Sequence, residues 1–239
     1  MVKLAGLIST TATALGIPEA TLAIAFRSLR ESGLMTTGGR GRAAPDMTYL
    51  DQARLVIWAL VTDKPAMAEH AAVDFGRLIC TEIEPAPDRS PEAGAREINP
   101  LQKAYKFEDA VAELLRVFSE DTQLEYFQSE CFESALGVHL PPCEISVHVS
   151  SLTAIMYWRG DLYHFSDADQ SLLDNVVLDA FEQDVDAAEM AEKLTALEAE
   201  NQRYVEKAAR YKSNIKITRG IMTNTIDSLA TAFRASVDV

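Results

Sequence analysis

Two groups of residues have types and spacings suited to recognition rather than bond-making. Arg40 and Arg42 lie in Gly38-Gly39-Arg40-Gly41-Arg42. Each guanidinium can grip an oxyanion with two parallel N–H donors, and the glycines keep the backbone slim enough for close approach. Upstream, Glu19, Thr21, Ala25, Arg27, Ser28 and Arg30 fall on what the spacing of Leu22, Phe26 and Leu29 leaves as the outward side of a helix. That side would present carboxylate, hydroxyl and guanidinium groups to a partner's hydrogen-bonding edges.

Reaction chemistry is not written into the chain. It has no phosphate-binding glycine loop and no HExxH, CxxC or GxSxG, so no catalytic residues, enzymatic activity or cofactor are expected. His139 and Cys143 are four apart, with Cys131 and His148 near them in sequence. Pro141-Pro142 and a following strand make that spacing unspecific, and no metal is expected. Tyr157, Trp158, Tyr163 and His164 read as sheet packing before they read as a ligand cage.

Several elements have to position the outward residues. Leu15, Ile17, Leu22, Phe26 and Leu29 have the spacing of two short helices packed on each other. Gly16 provides the tight turn, and Pro18 suits the first turn of a helix running from about Pro18 to Ser32 and stopping at Gly33. Leu34–Thr37 can be a strand, with the basic glycine tip after it, a return at Met47–Tyr49, and a helix over Tyr49–Leu60. Met67, Ala71, Phe75, Leu78 and Ile79 predict one helix over 65–83. Residues 84–100 hold four prolines and mixed charge, the composition of a flexible linker or loop. Residues 101–166 form an α+β middle region. One helix carries Val111, Leu114, Leu115 and Phe118, and a second runs from Asp121 through Leu136. Ile145, Val147, Val149, Ile155 and Tyr157 alternate as strands, with turns at Ser150-Ser151 and Arg159-Gly160-Asp161 before a third strand at Leu162–Phe165. Residues 167–239 read as a long helix to about residue 212, then a terminal helix carrying Ile217, Ile221, Ile226, Leu229 and Phe233.

An alanine-rich helix, Leu15-Gly16-Ile17, a Ser/Thr-bearing helix and then a basic glycine hairpin resemble the winged helix-turn-helix of bacterial and phage DNA-binding proteins. The resemblance covers about the first 64 residues and names a broad class. It implies that the second helix enters a major groove of double-stranded DNA, where Glu19, Thr21, Arg27, Ser28 and Arg30 meet base edges. Arg40 and Arg42 would then meet phosphates or a minor groove. Three readings stay open: a transcriptional regulator, a phage DNA-packaging recognition subunit of small-terminase type, and a protein–protein adaptor using a winged helix.

Charge and heptads bear on those readings. The 239 residues carry a net charge of −14; residues 1–64 hold seven Lys/Arg against five Asp/Glu, a net +2, which leaves −16 on the remainder. A weakly basic head on an acidic body is the asymmetry expected when only the head meets nucleic acid. Met190, Leu194, Leu197, Asn201, Tyr204 and Ala208 repeat at 3-4 spacing. They fit a parallel two-stranded coiled coil with Asn201 at an a position, hence a homo-oligomer with a dimer favoured, or else an amphipathic helix packed on its own domain. Three scattered cysteines, Cys80, Cys131 and Cys143, suggest a reducing cytoplasm. The N-terminus reads as a folded helix and not a targeting segment, and no run is apolar enough to expect a membrane span. The fold class expected is mainly α with a small antiparallel sheet.

Overall fold

The computed structural model describes residues 2–38, 45–84, 101, 105–120, 132–133, 139–140, 143–158, 161–167, 195, 202–207, 209–211 and 218–234. Helices α1 (Leu4–Leu15) and α2 (Glu19–Glu31) are joined through Gly16, which has φ 66°. The Gly16 and Ile17 amides donate back to the Thr13 and Ala12 carbonyls, closing α1 in a left-handed turn. Pro18 stands just before the helix rather than inside it, and its carbonyl accepts from Thr21 and Leu22. Leu22, Ala25, Phe26 and Leu29 form the buried stripe of α2.

Helix α3 (Tyr49–Val61) is the centre of the molecule. Ala53, Leu55, Val56, Ile57, Trp58, Leu60 and Val61 are all buried, so the helix is apolar nearly all round, as an enclosed helix must be. It packs against α1, α2, α4 (Ala68–Gly76), α5 (Phe107–Glu120) and the sheet. A short 3-10 turn, Pro65–Met67, leads into α4.

The sheet has the order β1 (Ile79–Glu84), β6 (Asp161–Ser166), β5 (Thr153–Trp158), β4 (Cys143–His148), β7 (Thr218–Met222), with antiparallel pairing throughout. A two-stranded pair, β2 (Phe132–Glu133) and β3 (His139–Leu140), stands apart from it. One face carries Cys143, Ile145, Val147, Ala154, Met156, Trp158, Tyr163 and Phe165 into the core. There Phe107 of α5 meets Phe165 at 5.2 Å and Phe118 meets Trp158 at 5.4 Å between ring centroids. The last helix, α6 (Thr223–Arg234), buries Ile226, Leu229 and Phe233 against α1 and α5. One continuous apolar cluster thus runs from α1 to α6, and the expected boundary at residue 64 lies inside it. The architecture is mainly helical with a small antiparallel sheet.

Several local expectations are corrected. The helix expected over 65–83 ends at Gly76, and Ile79–Glu84 is instead the edge strand β1, because it hydrogen-bonds to β6 some eighty residues later. Leu34–Thr37 is not a strand: the Thr36 amide donates 2.7 Å to the Asp51 carboxylate, so it is not available to a hairpin partner. Met47 does return, but as a single antiparallel bridge to Val2. Ile221 belongs to β7 and not to the terminal helix, which starts at Thr223. Phe132–Glu133 is extended, not helical. The alternation read through Ile155 and Tyr157 changes phase. In the β4–β5 hairpin Val147 pairs with Ala154 and Ile145 with Met156. Odd positions therefore face inward on β4 and even ones on β5. The linker at 84–100 lies outside the described residues apart from Glu84, as does most of the long helix expected after residue 167.

Candidate nucleic-acid interface

Helix α2 buries one stripe and turns the opposite side fully outward. Glu19, Ala20, Ala23, Ile24, Arg27, Arg30 and Glu31 are exposed there, with Thr21 and Ser28 half-buried at its margins. The sequence reading of Glu19, Arg27 and Arg30 as outward residues agrees with this. Ala25 does not: it is fully buried, because it sits three positions after Leu22 and four before Leu29 on the packed stripe. Ile24 was missed. It is 56% exposed, an isoleucine offered to solvent between Ala20, Ala23 and Arg27. Its signal was available, since Ala20, Ala23, Ile24, Arg27 and Glu31 follow the 3-4 spacing of a second face.

The cations of the head divide by environment. Lys3 is held by Asp46 at 2.9 Å. Arg54 lies mostly buried, with its Nε donating 2.8 Å to Glu108 of α5 and a second nitrogen donating to the Leu34 carbonyl. These two brace the fold. Arg27 and Arg30 have no carboxylate partner among the described residues and stand free on the outward face of α2. A guanidinium in that setting keeps all its donors for a ligand.

Arg40 and Arg42 lie outside the described residues. The base from which their segment springs is on view. Gly38 and Pro45 approach so closely that a Cβ on Gly38 would stand 3.0 Å from the proline ring. Below them Asp51 organises the start of α3. Its carboxylate accepts from the Thr48 amide at 2.7 Å, the Thr48 hydroxyl at 2.8 Å and the Thr36 amide at 2.7 Å, while the Thr48 hydroxyl accepts from the Asp51 amide. This is a capping box that also anchors the segment leaving α2. Asp51 is therefore an acid of the basic head that is fully engaged inside it.

Of the heptad residues, Met190, Leu194, Leu197, Asn201 and Ala208 lie outside the described residues. Tyr204 packs on its own chain. Its hydroxyl donates 2.8 Å to the Ser151 carbonyl, and its ring packs on the chain's own core. One heptad later, Tyr211 is buried against Phe75 at 5.3 Å between centroids and donates 2.9 Å to Asp74, which Arg210 also contacts. Burial and the neighbouring Asp74 carboxylate hold the Tyr211 hydroxyl well above its ordinary pKa. At these two rows the stripe is an internal packing surface. Cys143, weighed as a ligand beside His139, is enclosed in the core, where burial raises its thiol pKa well above the ordinary value.

No family model matches the chain, and no curated protein or solved structure matches it either. Among the described residues no helix is long and apolar enough to cross a membrane.

Proposed function

We propose that this protein binds double-stranded DNA through α2, with the Arg40–Arg42 segment as a second contact, and acts as a regulator of bacterial or phage type. The observation behind the reading is the outward face of α2, which carries two guanidiniums without carboxylate partners among the described residues, on a helix that follows a tight left-handed turn from α1. A helix so presented fits a major groove. Arg27 can bond a guanine edge with two donors, Ala20, Ala23 and Ile24 suit thymine methyl groups, and Arg30 can reach a phosphate.

The test uses the full chain and a random-sequence duplex library, with the retained duplexes sequenced. A shared motif is expected. Against that motif, Arg27→Ala should cost about 1–3 kcal/mol and relax preference at one base. Arg30→Ala should weaken all sequences alike and lower the log–log salt slope by about 0.9. Retention of no duplex above background at low salt would end the reading. The adaptor reading is favoured by one feature, the exposed Ile24 on a face whose charges cancel. If it holds, Ile24→Asp abolishes capture of a protein partner while DNA retention is absent throughout.

A further inference from the structure

We infer that Glu82, Glu84 and His164 form a binding site for one divalent transition-metal ion, of which zinc is the test case, at the β1–β6 end of the sheet. The three side chains each offer one ligand atom, and these atoms all lie within 4.8 Å of one another. Donors that each stand about 2.0–2.2 Å from a single ion are at most about 4.4 Å apart. Small rotations of the two exposed glutamates close the remaining gap.

The placement follows from a break in register. Cys80 pairs with Phe165, but the next pair is Glu82 with His164, so Thr81 is left over as a bulge. Without that bulge Glu82 would oppose Tyr163, on the side of the sheet that carries the core. With it, Glu82 and Glu84 share the outer face with His164, and Ile83 takes the position opposite Tyr163. Bulges commonly re-aim side chains in this way at sheet edges. The Thr81 hydroxyl donates to the His164 carbonyl and ties the bulge to the neighbouring strand.

The charges favour a cation. His164 Nε2 is 2.8 Å from Glu84 Oε1, which answers one carboxylate, while the Glu82 carboxylate has no hydrogen-bond or ion-pair partner among the described residues. Two like charges two residues apart on one strand face, in a body whose net charge is strongly negative, repel each other. A divalent ion would relieve that repulsion. One imidazole nitrogen with two carboxylate oxygens suits zinc and its first-row neighbours better than magnesium, which prefers an all-oxygen shell and keeps its waters. The ion would pin β1 to β6, with the remaining coordination positions left to water.

The experiment takes the full chain, stripped with chelator and dialysed, and titrates it with zinc chloride by calorimetry. Thermal unfolding with and without zinc is measured in parallel. One saturable site per chain is expected, with an unfolding midpoint raised by zinc. His164→Asn and Glu82→Gln/Glu84→Gln should each weaken zinc at least tenfold while leaving the metal-free midpoint within a few degrees, since both glutamates are exposed and His164 is half-buried outside the core. Cys80→Ser should bind as the parent does, and magnesium in large excess should not displace zinc. The inference is overturned if no saturable site is found, if both surface variants bind zinc like the parent, if Cys80→Ser abolishes the site, or if magnesium displaces zinc.

Discussion

Replacing Asp51 with alanine tests the account of how the head is built, and it sets two physical effects against each other. Asp51 is 2% exposed and accepts three hydrogen bonds of 2.7–2.8 Å, two from backbone amides and one from a hydroxyl. In the alanine variant the Thr36 and Thr48 amides lose their acceptor, and water has little room to replace it. A hydrogen bond to a charged acceptor contributes about 1.5–3 kcal/mol. Loss of the capping box alone costs about 1 kcal/mol. Some relaxation at the surface end of the segment offsets part of this, so a loss of about 3–5 kcal/mol is expected. For a chain of this size each kcal/mol lowers the unfolding midpoint by roughly 2–4 °C, which places the variant about 10 °C below the parent. Asp51→Asn keeps one acceptor and should lose about half as much. Circular dichroism against temperature and urea reads both. A loss below about 1 kcal/mol for the alanine variant would refute the reasoning. Simple charge counting predicts tighter DNA binding for a head with one acid fewer. The geometry predicts the reverse at a temperature where the variant is folded, because Asp51 holds the base of the segment bearing Arg40 and Arg42.

Three further outcomes are expected. Gly220→Ala would place a Cβ 2.9 Å from the Ile145 carbonyl oxygen across the β4–β7 ladder, and strand displacement should cost about 1–3 kcal/mol, read as a lowered midpoint. The Tyr211 hydroxyl has a folded pKa raised above its ordinary 10.0 by burial and by Asp74, so its contribution is complete below about pH 10 and is lost as the pH rises further. The unfolding midpoint of the parent should then fall more steeply from about pH 9.5 upward than that of Tyr211→Phe, which itself loses about 1 kcal/mol at neutral pH. Leu194→Lys with Leu197→Lys tests the oligomer that the heptad spacing leads one to expect. Sedimentation should give monomers if those rows form an interchain seam, and the parent's mass if they continue the internal stripe seen at Tyr204 and Tyr211.

The parts legible in the sequence are those whose partners lie close along the chain. Leu15-Gly16-Ile17 announces a turn between two helices because a left-handed residue and two flanking apolar anchors are all local. Strands β4, β5 and β6 announce themselves through alternation and short hairpins. Strand β1 does not, because Leu78 and Ile79 continue the helical spacing of Phe75 and because its partner β6 is some eighty residues away. The inward phase of β5 is hidden for a related reason. Val149–Ser151 form a 3-10 turn and Leu152 takes φ 47°, a conformation that branched and bulky residues seldom signal in advance. The proposed metal-binding trio is hidden in the sequence for both reasons at once. Glu82 and His164 meet only across the ladder, and only after a bulge that no periodicity shows.

The shared core changes what a basic head on an acidic body means. Gln52 of α3 donates 3.2 Å to Thr11 of α1 and 2.8 Å to the Leu229 carbonyl of α6, joining residues 177 positions apart. Arg54 joins α3 to α5 and to the exit of α2 in the same layer. The head therefore cannot swing away from the packed core as a tethered module would, and in the proposed complex a duplex on α2 would meet the field of the acidic residues that share that core. Potentials of that kind fall off over roughly 10 Å at moderate salt. On the proposed reading they would leave the Arg27–Arg30 face as the tolerated approach for DNA and penalise other orientations. Added salt then acts twice. It weakens each arginine–phosphate contact, and it screens the repulsion between phosphate and body. If the proposed DNA binding holds, the measured salt slope would understate the number of phosphate contacts, and discrimination against non-specific DNA would come partly from charges that never touch it.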